Sequence, residues 1–272
     1  MGLDSAISWT HDTVNPWWGC TRVSPGCRYC YAERWARRTG LAWGKAADRR
    51  IRVDAALRDL RASARRAERT GERRRVFIAS MADVFETRPD LDAPRDAFLA
   101  GLRALGPDAG VDPLVLTKRP DRMAAWAESH GWPDWWWAGT TVEDQPRAHW
   151  RIPDLLRVPA RVRWLSCEPL LGPVSIWRNH SGVPVQAVQG VSYPPLGLWW
   201  CIVGGESGPH ARPMLQTWAE DLVGQCHAAG AACWVKQLGG HPDPRRDPEV
   251  WPALLRVQQL PVAPALALER TP

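Results

Sequence analysis

Three thiols fall within eleven residues of one another in the run Trp18-Gly19-Cys20-Thr21-Arg22-Val23-Ser24-Pro25-Gly26-Cys27-Arg28-Tyr29-Cys30-Tyr31. Glycine and proline bracket them, and a helical stretch follows at once. Three thiolates suit a [4Fe-4S] cluster that keeps its fourth iron open for a small molecule. A structural zinc site closes with four ligands, so Cys20, Cys27 and Cys30 would then need a distant fourth such as His11 or Cys167. Zinc knuckles usually pair two Cys-x-x-Cys units, and this chain has one. Seven cysteines in 272 residues are too sparse and odd a set for a disulfide framework, and no apolar leader precedes the loop. Both features point to a reducing cytoplasm.

A loop of this kind has to be held by a frame, and the rest of the chain reads as one. Short apolar runs alternate with amphipathic segments, the pattern of repeated β-α units around a parallel sheet. Strands are expected over 13–18, 76–80, 114–117, 136–141, 162–166 and 199–203, with a seventh at 233–236. Asp54 can cap a helix that places Ala56, Leu57, Leu60, Ala64 and Ala67 on one side and stops at Gly71. Further helices are expected from Tyr31, from Asp92 with Phe98, Leu99, Leu102 and Leu105 inward, over 120–129 and over 217–229. The expected fold is α/β, a partial or near-complete TIM-type (β/α) barrel of six to seven parallel strands. It takes residues 1–240, with the cluster loop at 18–31 and a Pro-rich tail at 241–272 packed on it. The length suits a single barrel. No apolar run approaches the roughly 18–20 residues that span a bilayer, so no membrane partner is expected. Residues 171–197 lack periodicity and read as a lid or a surface excursion, and a short helix is expected near 251–257.

The charge is +6, and only Lys45, Lys118 and Lys236 among the 35 basic residues are lysines. Between Arg34 and Arg75 stand Arg37, Arg38, Lys45, Arg49, Arg50, Arg52, Arg58, Arg61, Arg65, Arg66, Arg69, Arg73 and Arg74. Only Asp48, Asp54, Asp59, Glu68 and Glu72 offset them. This stretch, 34–75, either neutralises the phosphates of a nucleic acid or nucleotide or forms a solvated outer face.

Barrel enzymes build their sites from loops at the carboxyl ends of the strands, and every expected strand here ends in polar residues. Ser80 and Asp83 follow the second, Lys118 the third, Thr140, Thr141 and Glu143 the fourth. Ser166, Cys167 and Glu168 end the fifth, Gly204, Gly205 and Glu206 the sixth, Lys236 and Gln237 the last. Cys167 beside Glu168 reads either as a hydrogen-atom donor or as a small buried hydrophobe. The tryptophan cluster at 135–137 reads as core.

The Cys27-Arg28-Tyr29-Cys30 step resembles the cluster loop of radical S-adenosylmethionine enzymes, although six residues separate Cys20 from Cys27 where three are usual. A longer resemblance runs through Ile7-Ser8-Trp9-Thr10, Asn15-Pro16-Trp17-Trp18-Gly19-Cys20, Ser24-Pro25-Gly26-Cys27, Leu165-Ser166-Cys167-Glu168-Pro169-Leu170 and Val203-Gly204-Gly205-Glu206-Ser207-Gly208. These segments are similar to those of a phage-associated, three-cysteine-motif family of radical-SAM-like proteins, with a general layout like that of spore photoproduct lyases. The resemblance implies a [4Fe-4S] cluster on Cys20, Cys27 and Cys30, S-adenosylmethionine on its open iron, an electron donor and a 5′-deoxyadenosyl radical.

The groups of S-adenosylmethionine then ask for partners. Lys118 suits the carboxylate, Ser80 and Asp83 the amino group or ribose, and Thr140 supplies a hydroxyl. The Gly204-Gly205 turn permits close backbone approach, while Cys167, Glu168 and Glu206 face substrate. A zinc-stabilised, non-catalytic nucleic-acid-binding protein and a radical enzyme acting on a peptide are the alternatives.

Overall fold

The computed structural model describes residues 2–176 and 197–262. The chain runs through β1 (Asp12–Val14), β2 (Trp17–Trp18), α1 (Tyr31–Arg38), β3 (Arg50–Ile51), α2 (Val53–Thr70), β4 (Arg74–Ile78) and α3 (Asp92–Arg103). It continues through β5 (Val111–Thr117), α4 (Pro120–His130), β6 (Trp137–Thr141), α5 (Gln145–Leu156), β7 (Arg163–Cys167), β8 (Trp200–Gly204), α6 (Gln216–Ala229) and β9 (Ala232–Gln237). Seven of these strands form one parallel sheet in the order β1-β4-β5-β6-β7-β8-β9. The fold is α/β, a partial TIM-type barrel: a half-barrel with β1 and β9 at its two ends.

Alternation along each strand sorts the apolar side chains into two cores. Val76, Ile78, Val115, Ala138, Leu165, Cys201, Val203 and Val235 point outward and pack against helix residues such as Leu60, Leu99, Leu102, Met123, Leu155 and Leu222. Phe77, Leu114, Trp137, Trp164, Trp200, Ile202 and Trp234 point inward, joined by Trp9 from the N-terminal segment. Their rings interlock, with Trp9 4.9 Å from Phe77 and 5.5 Å from Trp164, and Trp164 5.6 Å from Trp200. Gly139 on β6 makes room for them, because a β-carbon there would come within 2.3 Å of the Trp164 ring. The interior is therefore plugged with aromatics below, and the polar strand ends sit above the plug.

Three local expectations change. The strand expected over 13–18 is two strands. Pro16 has no N–H to give to a ladder, and β2 leaves the sheet to pair antiparallel with β3. Helix α5 was not apparent, because Pro146 and Pro153 break its pattern. Asp144 nevertheless accepts from the Arg147 N–H as its N-cap, and Ala148, Ile152 and Leu155 are buried beneath it. The helix expected near 251–257 is two single turns of 3-10 helix, Pro248–Val250 and Ala253–Leu255. Past them the tail lies antiparallel beside β9, with Val235 N–H donating to Val257 and Gln259 N–H to Cys233 (both 2.8 Å), which covers that sheet edge. Of the stretch expected as a lid, residues 177–196 lie outside the described residues, as does the tail beyond 262. Among the described residues no helix is long and apolar enough to cross a membrane.

Candidate active site

The carboxyl ends of the strands open into a cavity of about 210 Å³, and Cys20, Cys27 and Cys30 all line it. None of them is in a disulfide. The rest of the wall includes Ser80 and Asp83 after β4, Lys118 after β5, Thr141 on β6, Ser166 and Glu168 from β7, and Lys236 on β9. Trp9, Phe77 and Leu116 form the apolar floor.

The cysteine loop is held in place from several sides. Where β1 ends, Asn15 accepts from the Met81 N–H at 2.6 Å and reaches Ser80 Oγ at 3.1 Å, and Gly19 N–H donates to the Met81 carbonyl. Gly19 has φ +116°, and a β-carbon there would meet Arg49 Cδ at 2.8 Å. Arg49 pairs with Glu86 at 2.6 Å, both side chains 1 % exposed, and also donates to Thr21 Oγ1 at 2.9 Å. Arg119 pairs with Asp83 at 2.7 Å and donates to the Thr21 carbonyl at 3.0 Å. Arg151 pairs with the fully buried Glu143 at 2.6 Å, and Glu143 Oε1 accepts from the Gly26 N–H at 3.3 Å. Buried ion pairs contribute little net stability but fix geometry. These three clamp the loop at Thr21 and Gly26, next to Cys20 and Cys27.

Burial pushes the Cys20 thiol well up, with nearby Asp83 adding to the effect and Arg119 opposing it. Burial also raises Cys30, against backbone N–H bonds and the Lys118 charge. Both thiols stay protonated at neutral pH in this state, so a metal would displace their protons on binding. Burial alone would raise Glu143, but Arg151 and Lys118 outweigh it and hold the carboxyl low and ionised.

Among the described residues no three His, Cys, Asp or Glu side chains converge as ligands of a single metal ion. A cluster asks less of its ligands, since each iron takes one thiolate. Three unpaired cysteines on one cavity wall, with Lys118 and Arg119 near them, fit that donor set. Neither candidate fourth ligand for zinc reaches the cavity. His11 lies at the foot of β1 with Nδ1 accepting from the Arg75 N–H at 2.8 Å, and Cys167 faces the helix side with its sulfur 3.8 Å from that of Cys201.

Residues 4–258 match the model of a family described as a protein of unknown function, DUF5131. The chain belongs to that family. No curated protein and no solved structure matches it. Every cavity residue of this DUF5131 chain falls inside the matched span.

Several of the expected site residues take other positions. Cys167 and Thr140 are fully buried and point away from the cavity, Thr140 donating to the Thr117 carbonyl at 2.8 Å. Alternation explains this, since their neighbours Thr141, Ser166 and Glu168 point in. Asp83 lines the cavity, yet its oxygens accept from Arg119, Thr117 Oγ1 (2.7 Å), Lys118 N–H (3.1 Å) and Phe85 N–H (3.0 Å). It serves the frame rather than a ligand. Glu206 is held bidentate by Arg212 at 2.7 and 2.8 Å. Gly204 lies below the mouth, where a β-carbon would meet Glu168 Oε1 at 2.8 Å, and Gly205 lines the mouth itself.

Lys118 does enter the DUF5131 cavity, donating to Thr141 Oγ1 at 3.3 Å and pairing with no carboxylate among the described residues. Lys236 enters from the far edge and pairs with Glu168 at 3.0 Å. In the sequence Arg119 and Glu143 are legible only as polar strand-end residues, and nothing there signals that they, with Arg49 and Glu86, position the cysteine loop. Lys236 is legible in the sequence on two counts, as one of three lysines and as a polar residue ending the last strand.

Proposed function

We propose that the chain is a radical S-adenosylmethionine enzyme in which Cys20, Cys27 and Cys30 hold a [4Fe-4S] cluster. The observation that supports this reading is the shared cavity. Three free thiols share it with Lys118, a cation with no carboxylate partner among the described residues, above an apolar floor. When bound, the cluster and S-adenosylmethionine would supply reductive cleavage of a sulfonium to methionine and a 5′-deoxyadenosyl radical that abstracts hydrogen from substrate, the electron coming from a separate donor.

The chain's own residues supply binding and dryness. Lys118 takes the amino-acid carboxylate, the hydroxyls of Ser80, Thr141 and Ser166 suit a ribose or an amino group, and Glu168 offers an acceptor already balanced by Lys236. Trp9, Phe77 and Leu116 keep water from below. The substrate class is a nucleic acid or nucleotide, in keeping with the net charge of +6. Free thiols and an iron-sulfur cluster suit a reducing compartment, in keeping with a cytoplasmic protein.

The test is anaerobic reconstitution with iron and sulfide, followed by metal analysis and optical spectroscopy. The parent should carry iron and inorganic sulfide with broad charge-transfer absorption. Cys27→Ala should lose both, and Cys226→Ala should keep them. One zinc per chain and no charge-transfer band would sink the proposal.

A further inference from the structure

We infer that the rim of the cavity beside β1 binds single-stranded nucleic acid, with phosphates on Arg34, Arg38, Arg50 and Arg52 and bases against Trp18 and Trp35. The basic stretch that is continuous in sequence separates in space. Arg37, Arg49, Arg66, Arg73 and Arg74 are paired with Glu33, Glu86, Asp4, Asp112 and Asp12. Most of the remaining arginines form two groups, one on the rim and one along the outer face of α2.

On the rim, Trp18 and Trp35 meet edge to face at 5.1 Å and both are half-buried. The guanidinium groups of Arg50 and Arg52 lie 5.1 and 4.3 Å from the Trp18 ring centre. Arg34 gives one bond to the Ser207 carbonyl, and its Nε is buried without a partner. Arg38 is exposed and makes no ion pair among the described residues. Of the nearby acids, Glu33 is taken by Arg22 and Arg37 and Asp4 by Arg66 and Arg74, which leaves Asp48. The rim is continuous with the site. The groove under Arg34, Trp35 and Arg38 shares Tyr31, Ser80 and Met81 with the cavity, and the recess under Trp18 and Arg50 shares Trp43 and Met81 with it.

The α2 face differs in each respect. Arg58, Arg61, Arg65 and Arg69 share it at helical spacing with Asp54 and Glu68 and with no aromatic residue, and α2 runs down to the start of β4, away from the mouth. It is a solvated face. Alternating guanidinium and indole groups match a single strand, whose phosphates and unstacked bases are presented together, whereas a duplex hides its base faces.

This proposal names the substrate class of the site and rests on the radical reading only for what happens to a bound strand. Binding itself requires neither cluster nor cofactor. Anisotropy of a fluorescein-labelled thymidine oligomer of about 20 nucleotides, titrated with full-length protein over a range of salt, tests it. The Arg38→Gln, Arg50→Gln, Arg52→Gln variant should lower the salt slope by about 2, at about 0.7 for each phosphate no longer neutralised. The Arg61→Gln, Arg65→Gln, Arg69→Gln variant should leave it unchanged. Arg38→Glu alone, at an exposed position with no packing to lose, should weaken binding in the same direction. No binding at low salt would overturn the proposal, as would a slope that falls only in the α2 variant, or a duplex bound at least as tightly as the single strand. Iron and sulfide content of the same preparation decides the radical reading separately.

Discussion

Replacing Arg49 by methionine strands the carboxylate of Glu86, whose side chain and that of Arg49 are each 1 % exposed. Removing one member of a fully buried pair costs on the order of 3–5 kcal/mol, because the remaining charge has no water to return to. Arg49 also donates to the carbonyls of Gly44 (3.0 Å) and Ala47 (2.6 Å). Those residues are half-buried and regain solvent easily, so the stranded charge dominates. For a chain of this size the loss corresponds to a fall in Tm of about 6–20 °C. Adding Glu86→Leu removes the stranded charge, and the double variant should recover most of the stability. It should not recover the loop, because Thr21 Oγ1 still lacks its donor. Thermal melts by circular dichroism therefore separate from the rate at which Cys20 reacts with an aromatic disulfide, read by mass spectrometry of the labelled peptide. The melts should return toward the parent in the double variant while Cys20 stays faster than in the parent. A fall in Tm of less than about 3 °C in the single variant, or parent-like labelling in the double, would refute the clamp.

Lys118→Ala should keep its iron and sulfide but bind S-adenosylmethionine about 10- to 100-fold more weakly, the loss of one charge-assisted bond, while Lys45→Ala at an exposed position changes neither. Equilibrium dialysis measures this, and unchanged affinity would remove Lys118 from the site. Gly139→Ala drives a methyl to within 2.3 Å of the Trp164 ring and should cost about 1–3 kcal/mol or more in urea unfolding; a neutral result would show that the aromatic plug yields. His11 lies below its ordinary value of 6.5, because burial, Arg75 and Arg74 outweigh the pull of Glu72 at 3.4 Å. Asp12 lies below 3.8: burial alone would raise it, but bonds from Arg74 and Ser63 win. In both cases the unfolded chain binds protons more tightly. The stability these groups contribute is complete above the ordinary value and is lost as pH falls through the folded one, first for His11 and then for Asp12. His11→Gln should flatten the upper part of that decline, and an unaltered profile would reject the assignment.

Apolar runs of five or so residues located β4 to β9 closely, since each carries the outward and inward sets of one strand. The cysteines stood out by spacing and Lys118 by rarity in an arginine-rich chain. Which strand-end residue faces the cavity depends on parity, and parity was readable only by anchoring on Trp164. Counting from that inward ring gives Ser166 and Glu168 and excludes Cys167. The loop clamps left no local trace, because Arg49 and Glu86 are 37 residues apart and Gly26 and Glu143 are 117 apart. The two-residue strands β2 and β3 are too short for any periodicity to reveal.

Arg52 N–H donates to the Pro16 carbonyl at 2.7 Å and β2 pairs with β3, so the two ends of the 17–51 segment meet beside β1, while the loop between them is clamped onto the strand ends. Segments whose ends meet in space are exchanged with little disturbance to their host. This one carries all three mouth cysteines, while β1, α2 and β4 already make a complete crossover around it. The half-barrel is in that sense a chassis and the cysteine segment a cartridge. The same seven strands could accept a cartridge of other chemistry. A short turn spliced from Trp17 to Arg52, which keeps that buried tryptophan, combined with Glu86→Leu, which removes the carboxylate that Arg49 would leave behind, would give a scaffold against which every property of the thiols could be measured by difference.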